Sequence, residues 1–392
     1  MLPLQPHRER HGALRIAIDA TSAPPRPAGA GVYAIELVRA LAARDAHDGY
    51  ALFARGTQFD DIVGVHKNWR IERVRAATRP ARLAWEQMRL PASLAALGID
   101  VLHSTHHTLP MAPLRCKRVV TFHDVTFFRI PERYPPARRL YMQTTTRLAA
   151  RVADAIIVPS NTVRHDVHTT LGVPVSKIVT VYEAASPTFR SLGREEATDV
   201  ARRYGIEGPY VLSVGSLEPG KNRARLIRAM RSLRDEGVAH SLVVVGQKAW
   251  KYQSDFDLVS ALGMADRVLF PGYVPANDLP ALYNAADAFA FPSLYEGFGL
   301  GVIEAMACGV PVLTSNVGAT AEVAADAALL VDPLSVEAIR DGLSKLLGDD
   351  ALRNKLAKRG LHRAAKFTWR QAAEETHALY GRVARGEAAS TQ

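Results

Sequence analysis

Short apolar runs alternate with amphipathic stretches along nearly the whole chain. Residues 14–19 (LRIAID) read as a first strand, and residues 31–43 follow as a helix with Val32, Ile35, Leu37, Val38 and Leu41 on its apolar side. Further strands are expected at 50–54, 101–104, 118–123, 155–159 and 178–182, with helices over 137–152 and 162–171. The pattern then restarts. Residues 210–215 (YVLSVG) form a strand and 223–235 a helix, followed by strands at 241–246, 268–272, 288–292 and 311–315. Apolar strand runs alternating with helices predict parallel sheets covered on both faces. Residues 183–194, with Ser186, Pro187, Ser191 and Gly193, are the best linker. The expected fold class is therefore α/β, with two doubly wound Rossmann-like halves at 12–190 and 191–367. A closing segment at 368–392 carries a helix over 368–384.

At 392 residues the chain is long enough for two ordinary domains, and its 48% hydrophobic content supports substantial cores. No apolar run is long enough to cross a bilayer. The basic N-terminus (MLPLQPHRERHGAL) lacks the apolar stretch of a secretory signal, so a cytoplasmic location is expected. Cys116 and Cys308 stand far apart without metal-ligand spacing and read as buried thiols of a reducing compartment. The net charge of +10 favours anionic partners. Lys67, Arg70, Arg73, Arg75, Arg79, Arg82 and Arg89, with Trp69 and Trp85 among them, read either as a solvated loop and helix face or as a contact with the inner face of an anionic membrane. No nucleic-acid module is recognisable, so nucleic acid is not an expected partner.

Four strand-to-helix junctions carry candidate chemistry. The strongest is Glu296-Gly297-Phe298-Gly299-Leu300-Gly301-Val302-Ile303-Glu304, which follows a strand and opens a helix. Its glycines allow close backbone approach, and a helix start offers free N–H groups and a positive dipole end to a phosphate. Glu296 and Glu304 are acceptors suited to sugar and ribose hydroxyls, or else a cap and a solvated side chain. The second junction is Gly215-Ser216-Leu217-Glu218-Pro219-Gly220-Lys221-Asn222, where Lys221 beside a helix start calls for an anion unless it extends into water. The third contains Gly29 and Gly31 (PAGAGVY), and the fourth is Thr121-Phe122-His123-Asp124 at a strand end. Ser160 and Asn161 follow another strand end and are suited to capping the next helix.

Together these residues resemble the family 4 retaining glycosyltransferases, which have the GT-B fold, from about residue 14 to residue 380. The resemblance is carried by Glu296 and Glu304 in EGFGLGVIEAMACGVPV, by GSLEPGKN, by GYVP at 272–275 and by Ala285-Ala286-Asp287 before AFAFPS. It implies that Glu304 holds the donor ribose diol and Glu296 a hydroxyl of the transferred sugar. The N–H groups around Phe298, Gly299 and Leu300 would bind sugar or diphosphate oxygens, with Ser216 in the same donor site. Lys221 would neutralise the departing diphosphate, and His123 would sit beside the reacting carbon. Gly29 and Gly31 would let the N-terminal half close on the phosphates and acceptor. Tyr273 and Val274 would lie near the nucleobase, and the final helix would cross back onto the first half. Many members carry an arginine beside this lysine or earlier in the loop. Here those places hold Gly220 and Ser216, which leaves Lys221 alone or assisted by Arg223 or Arg225.

The implied reaction is transfer of a hexose from a nucleotide-diphosphate sugar, with no cofactor and no metal, since no Asp-x-Asp motif stands where a metal-diphosphate site would need one. A histidine-aspartate pair followed by FFRIPERYPP looks most like bacterial mannosyl- or rhamnosyl-type enzymes of cell-surface polysaccharide assembly. That places GDP-mannose ahead of a UDP-sugar as donor, and a glycan or lipid-linked oligosaccharide as acceptor. The competing readings are a sugar-nucleotide epimerase of the same architecture and a non-catalytic nucleotide-sugar-binding protein.

Overall fold

The computed structural model describes residues 12–25, 27–44 and 47–389. Most of the basic N-terminal lead-in and the last three residues of the closing segment lie outside the described residues. Two parallel sheets organise the chain. The first holds β1 (Arg15–Asp19), β2 (Gly49–Ala54), β3 (Trp69–Arg73), β4 (Val101–Ser104), β5 (Lys117–Thr121), β6 (Ala155–Val158) and β7 (Ile178–Thr180). The second holds β8 (Tyr210–Val214), β9 (Ser241–Val245), β10 (Val268–Gly272), β11 (Ala288–Phe291), β12 (Val312–Ser315) and β13 (Leu329–Val331). Their orders are β3-β2-β1-β4-β5-β6-β7 and β10-β9-β8-β11-β12-β13. The strand order reverses between β1 and β4 in one sheet and between β8 and β11 in the other. Crevices at such reversals, outside the carboxyl ends of the strands, are where open α/β sheets bind ligands.

The central strands are apolar because helices cover both of their faces. Ile16, Ile18, Leu102, Val119, Ile156 and Ile157 are fully buried in the first lobe, as are Val211, Leu212, Val243 and Leu313 in the second. Two edge strands escaped the sequence pattern. β3 reads WRIER and is exposed at Arg70 and Arg73, and β13 has only three residues. Neither offers the continuous apolar run by which the buried central strands were read.

The basic stretch departs from its expected form. Trp69 is buried in β3 and stacks on Tyr50 at 4.2 Å between ring centroids. Arg82 is buried on the helix Arg79–Met88, where its Nη1 lies 2.7 Å from both Glu86 Oε2 and His106 Nε2. Neither residue can face a solvated patch or a membrane, because each is held within the first lobe. Lys67, Arg70, Arg73, Arg75, Arg79 and Arg89 remain exposed. Arg73 reaches the Gly56 carbonyl and Asp60.

Thr368 caps the last helix, Trp369–Ala384, by accepting from the Gln371 N–H at 3.1 Å. That helix buries Trp369, Leu379, Tyr380 and Val383 in the first-lobe core beside Tyr33, Leu37 and Leu41. Tyr380 Oη also lies 2.6 Å from His103 Nδ1. The chain therefore crosses from the first lobe to the second and returns, so both lobes are anchored at one side.

Candidate active site

The four candidate junctions end in the same region. The loop after β1 contains Gly29 and leads into the helix Ala30–Ala42, and His123 lies two residues beyond β5. The loop after β8 contains Ser216 and Lys221, and the loop after β11 contains Glu296 and the glycine-rich turn. β5 stops at Thr121 rather than running to His123, although the Phe122 N–H still reaches the Ile157 carbonyl at 2.9 Å.

Lys221 stands beside a helix start, two residues before the helix Arg223–Asp235. It closes a 3-10 turn, Pro219–Lys221, and Asn222 turns the chain in a left-handed conformation (φ 58°) before the helix Arg223–Asp235. Its Nζ is 2.6 Å from Glu296 Oε1, and the Ser293 hydroxyl donates to the same oxygen. The charge that called for an anion is thus met by Glu296, and Glu296 caps no helix. Arg223 is buried and donates to the Gly215 carbonyl at 2.5 Å, and burial pushes its pKa down to about 10. Arg225 engages the Leu334 carbonyl and Asn222 Oδ1.

The helix Leu300–Ala307 begins at Gly299, whose φ of 98° lies in the left-handed region that favours glycine. Among the described residues, no side-chain cap is made at this helix start. Gly297 is required for approach, since a Cβ there would collide with the His123 carbonyl. Phe298 contributes only backbone to the cleft. Its ring lies in the second-lobe core, edge-on to Phe367 at 5.8 Å. Glu304 is buried rather than solvated, and its carboxylate accepts from Tyr283 Oη at 2.9 Å. Burial pushes its carboxyl up to about 7; the Tyr283 hydrogen bond opposes the rise and Glu183 adds to it.

His123 is held at both ring nitrogens. Nε2 is 3.0 Å from the Thr105 carbonyl, and Nδ1 is 3.6 Å from Glu183 Oε1. Burial disfavours its charged form, but Glu183, the Thr105 carbonyl and Asp124 outweigh burial and raise its pKa. Gly31 is buried with Pro24 and Pro27 close to where a Cβ would stand, whereas Gly29 is exposed. After β10, Tyr273 is half-buried and Val274 is part of the second-lobe core. Only Tyr273 of that pair presents a side chain outside the core.

Among the described residues, Asp19, Glu86 and His106 converge closely enough to hold a metal. Arg82 already supplies the cation of that cluster.

Residues 27–188 match the Glycosyltransferase Family 4 model, and residues 200–363 match the Glycosyl transferases group 1 model. Over 365 residues the chain is 33% identical to O-antigen chain mannosyltransferase B from Escherichia coli, covering 90% of this chain and 95% of that protein. The chain belongs to the family 4 glycosyltransferases. It is also 30% identical to the serotype-specific mannosyltransferase WbdA of Escherichia coli over 277 residues, 68% of this chain and 34% of WbdA. Sucrose-phosphate synthase from Thermosynechococcus elongatus shares the fold, with a TM-score of 0.78 at 23% identity over 95% of this chain and 100% of that one.

In this glycosyltransferase several cleft residues lacked a sequence signal. Glu183 contacts His123 and influences Glu304, yet it sits in the linker without a motif. Glu322 accepts from the Asn161 and Thr162 N–H groups, both at 2.8 Å, and from the Thr162 and Tyr182 hydroxyls. A second-lobe carboxylate thereby caps a first-lobe helix, Asn161–Leu171. Ser160 caps the same helix through the Val163 N–H and donates to the Gly297 carbonyl at 2.7 Å. Its sequence context announced the cap but not the contact across the cleft. Among the described residues, no helix is long and apolar enough to cross a membrane.

Proposed function

We propose that this enzyme is a retaining mannosyltransferase of cell-surface polysaccharide synthesis, with GDP-mannose as donor and a glycan or lipid-linked oligosaccharide as acceptor. One observation carries the donor site. Lys221, Glu296, the uncapped start of the helix Leu300–Ala307 and the buried Glu304 all follow β8 or β11, the strands at the second-lobe reversal. The choice of mannose is supported by the mannosyltransferase names of the relatives aligned over most of this chain.

Breaking the sugar–phosphate bond leaves positive charge on the sugar and further negative charge on the diphosphate. Lys221 and the N–H groups of residues 298–300 are suited to the departing diphosphate, so the reaction needs no metal or cofactor. Glu304 accepts the ribose hydroxyls, and Glu296, released from Lys221 as phosphate arrives, accepts a hydroxyl of the sugar. Tyr273 flanks the base. His123, fixed by Glu183 and Thr105, forms the first-lobe wall beside the sugar, and Gly31 brings the backbone of that lobe close. The acceptor hydroxyl attacks from the face the diphosphate leaves, and a diphosphate oxygen takes its proton. Closure of the lobes excludes water and limits hydrolysis. The exposed arginines of the basic stretch hold the enzyme at an anionic membrane surface, where a lipid-linked acceptor is available.

A thermal-shift screen with GDP-, UDP-, ADP- and dTDP-sugars tests the donor assignment, because a ligand that binds only the folded state raises the melting temperature. GDP-mannose should give the largest shift, and release of GDP should require an acceptor. A larger shift with a UDP-sugar would reassign the donor. Conversion of the sugar without an acceptor would indicate an epimerase.

A further inference from the structure

Gly220 leaves a side-chain space empty in the loop before Lys221, and a residue of the other lobe fills it. A Cβ at position 220 would collide with the Arg133 guanidinium. Arg133 closes the 3-10 turn Pro131–Arg133 in the first lobe, within FFRIPERYPP. Its Nε donates to Glu218 Oε2 at 2.9 Å, and its Nη2 donates to Glu218 Oε1, so Glu218 is engaged in bidentate fashion. Glu218 also accepts from the Gly220 N–H at 2.9 Å. The guanidinium is therefore fixed against the backbone of the loop that carries Lys221.

Its side chain is nine-tenths buried, and Nη1 has no hydrogen-bond partner among the described residues. A buried donor without a partner is costly, and an arginine donor especially so. The group nonetheless stays cationic: burial works against its charge, but Glu218, Tyr134 and Glu296 outweigh burial and raise its pKa. The segment is braced across the cleft. Trp250 Nε1 donates to the Arg133 carbonyl at 3.0 Å, Tyr134 stacks on Trp250 at 5.6 Å, and the Arg138 guanidinium lies 4.4 Å over the same indole.

We propose that Arg133 is a phosphate-binding group delivered across the cleft, taking the place that a side chain at position 220 would hold and presenting Nη1 to the donor diphosphate beside Lys221. The proposal rests on the donor-site reading above. Glu218 occupies Nε and Nη2, and Nη1 is left for a phosphate oxygen. Because Arg133 belongs to the first lobe and Lys221 to the second, a diphosphate bound by both favours the closed arrangement of the lobes.

Calorimetric titration of the full chain with GDP, UDP, guanosine and uridine tests this, on the wild type and on R133A, R133K, K221A and R133A/G220R. R133A should bind the tighter of the two diphosphates about ten- to a hundredfold more weakly while its nucleoside affinity stays within about twofold. R133K should fall between R133A and wild type, because lysine keeps the charge but loses the bidentate fork. R133A/G220R should recover diphosphate affinity, since it returns a guanidinium to the same space from the other lobe. If K221A weakens diphosphate binding and R133A does not, the role of Arg133 is wrong while the donor site stands. If neither does, the donor-site reading itself fails. An equal loss of nucleoside and diphosphate affinity in R133A would make Arg133 a structural brace only. Should R133A not fold, an R133K variant with unchanged diphosphate affinity would overturn the proposal.

Discussion

Lys221 Nζ lies 2.6 Å from Glu296 Oε1, although the two residues belong to different loops of the second lobe. Both side chains are largely buried, with 18% and 14% of their surfaces exposed. Removing one partner of such a pair strands the other, at a cost of about 3 kcal/mol. K221A should therefore lower stability and, by removing the cation proposed to meet the leaving diphosphate, reduce kcat by roughly two to three orders of magnitude. Donor affinity should fall less than turnover. Steady-state kinetics with donor binding measured separately provides the check. A variant with wild-type kcat would remove Lys221 from the reaction.

Glu304 offers a prediction about pH. Burial raises its carboxyl from the ordinary carboxylate range to about 7, so the folded protein retains a proton that the unfolded chain releases near pH 4.5. Between those values the native state binds more protons, and stability contributed by this group declines as pH rises through about 7. Donor binding should run the other way. In the proposed donor site, ribose hydroxyls donate to the ionised carboxylate, so affinity should rise up to about pH 7 and then level off. E304Q should flatten both profiles and weaken donor binding by about 1–3 kcal/mol. Denaturant melts and donor titrations from pH 5 to pH 8 would show it, and a pH-dependent profile surviving in E304Q would assign the titration elsewhere.

The parts of the fold that showed in the sequence are those in which a single segment must satisfy a local constraint. β11 and β12 sit in the middle of a sheet and must be apolar on both faces, so AFAF and VLTS were readable. Gly299 had to be glycine for its backbone angle, and it marked the helix start. β3 lies at an edge with one side to solvent, and its alternating WRIER read as part of a basic loop. Arg82 looked like its exposed neighbours because nothing within a few residues announces that His106 and Thr108 surround it. The Lys221–Glu296, Glu183–His123 and Arg133–Glu218 pairings join segments 60 to 85 residues apart, with separations of 75, 60 and 85. Contacts between such distant segments are set by topology and leave no periodicity to read.

Glu322 joins the lobes at a defined point, since its carboxylate accepts from two backbone N–H groups at the start of the helix Asn161–Leu171 and from two hydroxyls. A carboxylate there satisfies orphan donors and complements the positive end of the helix. E322A should strip these contacts and weaken closure by about 1–3 kcal/mol. Each lobe retains its own core, so the loss should appear as a larger radius of gyration in small-angle scattering and a raised donor KM, with the circular dichroism spectrum unchanged. Scattering identical to that of the wild type would show that the contact does not hold the lobes together.

The membrane contact is testable only with residues that reach solvent. Arg82 is excluded by its burial, whereas Arg75, Arg79 and Arg89 are exposed, and Met88 beside them is 77% exposed. A basic residue near an anionic surface contributes about 1 kcal/mol, so three of them together are worth roughly a hundredfold in binding. The triple reversal R75E/R79E/R89E should lose at least that much affinity for phosphatidylserine-containing vesicles in a sedimentation assay. Its turnover with a soluble acceptor should be measured beside the vesicle binding, because Arg79 acts electrostatically on Arg138, which lies 4.4 Å over Trp250. The wild-type affinity should fall as salt is raised, since exposed charges are screened within about 10 Å at 0.1 M. Equal binding by the variant and the wild type would leave the lipid-linked acceptor to be met by some other surface.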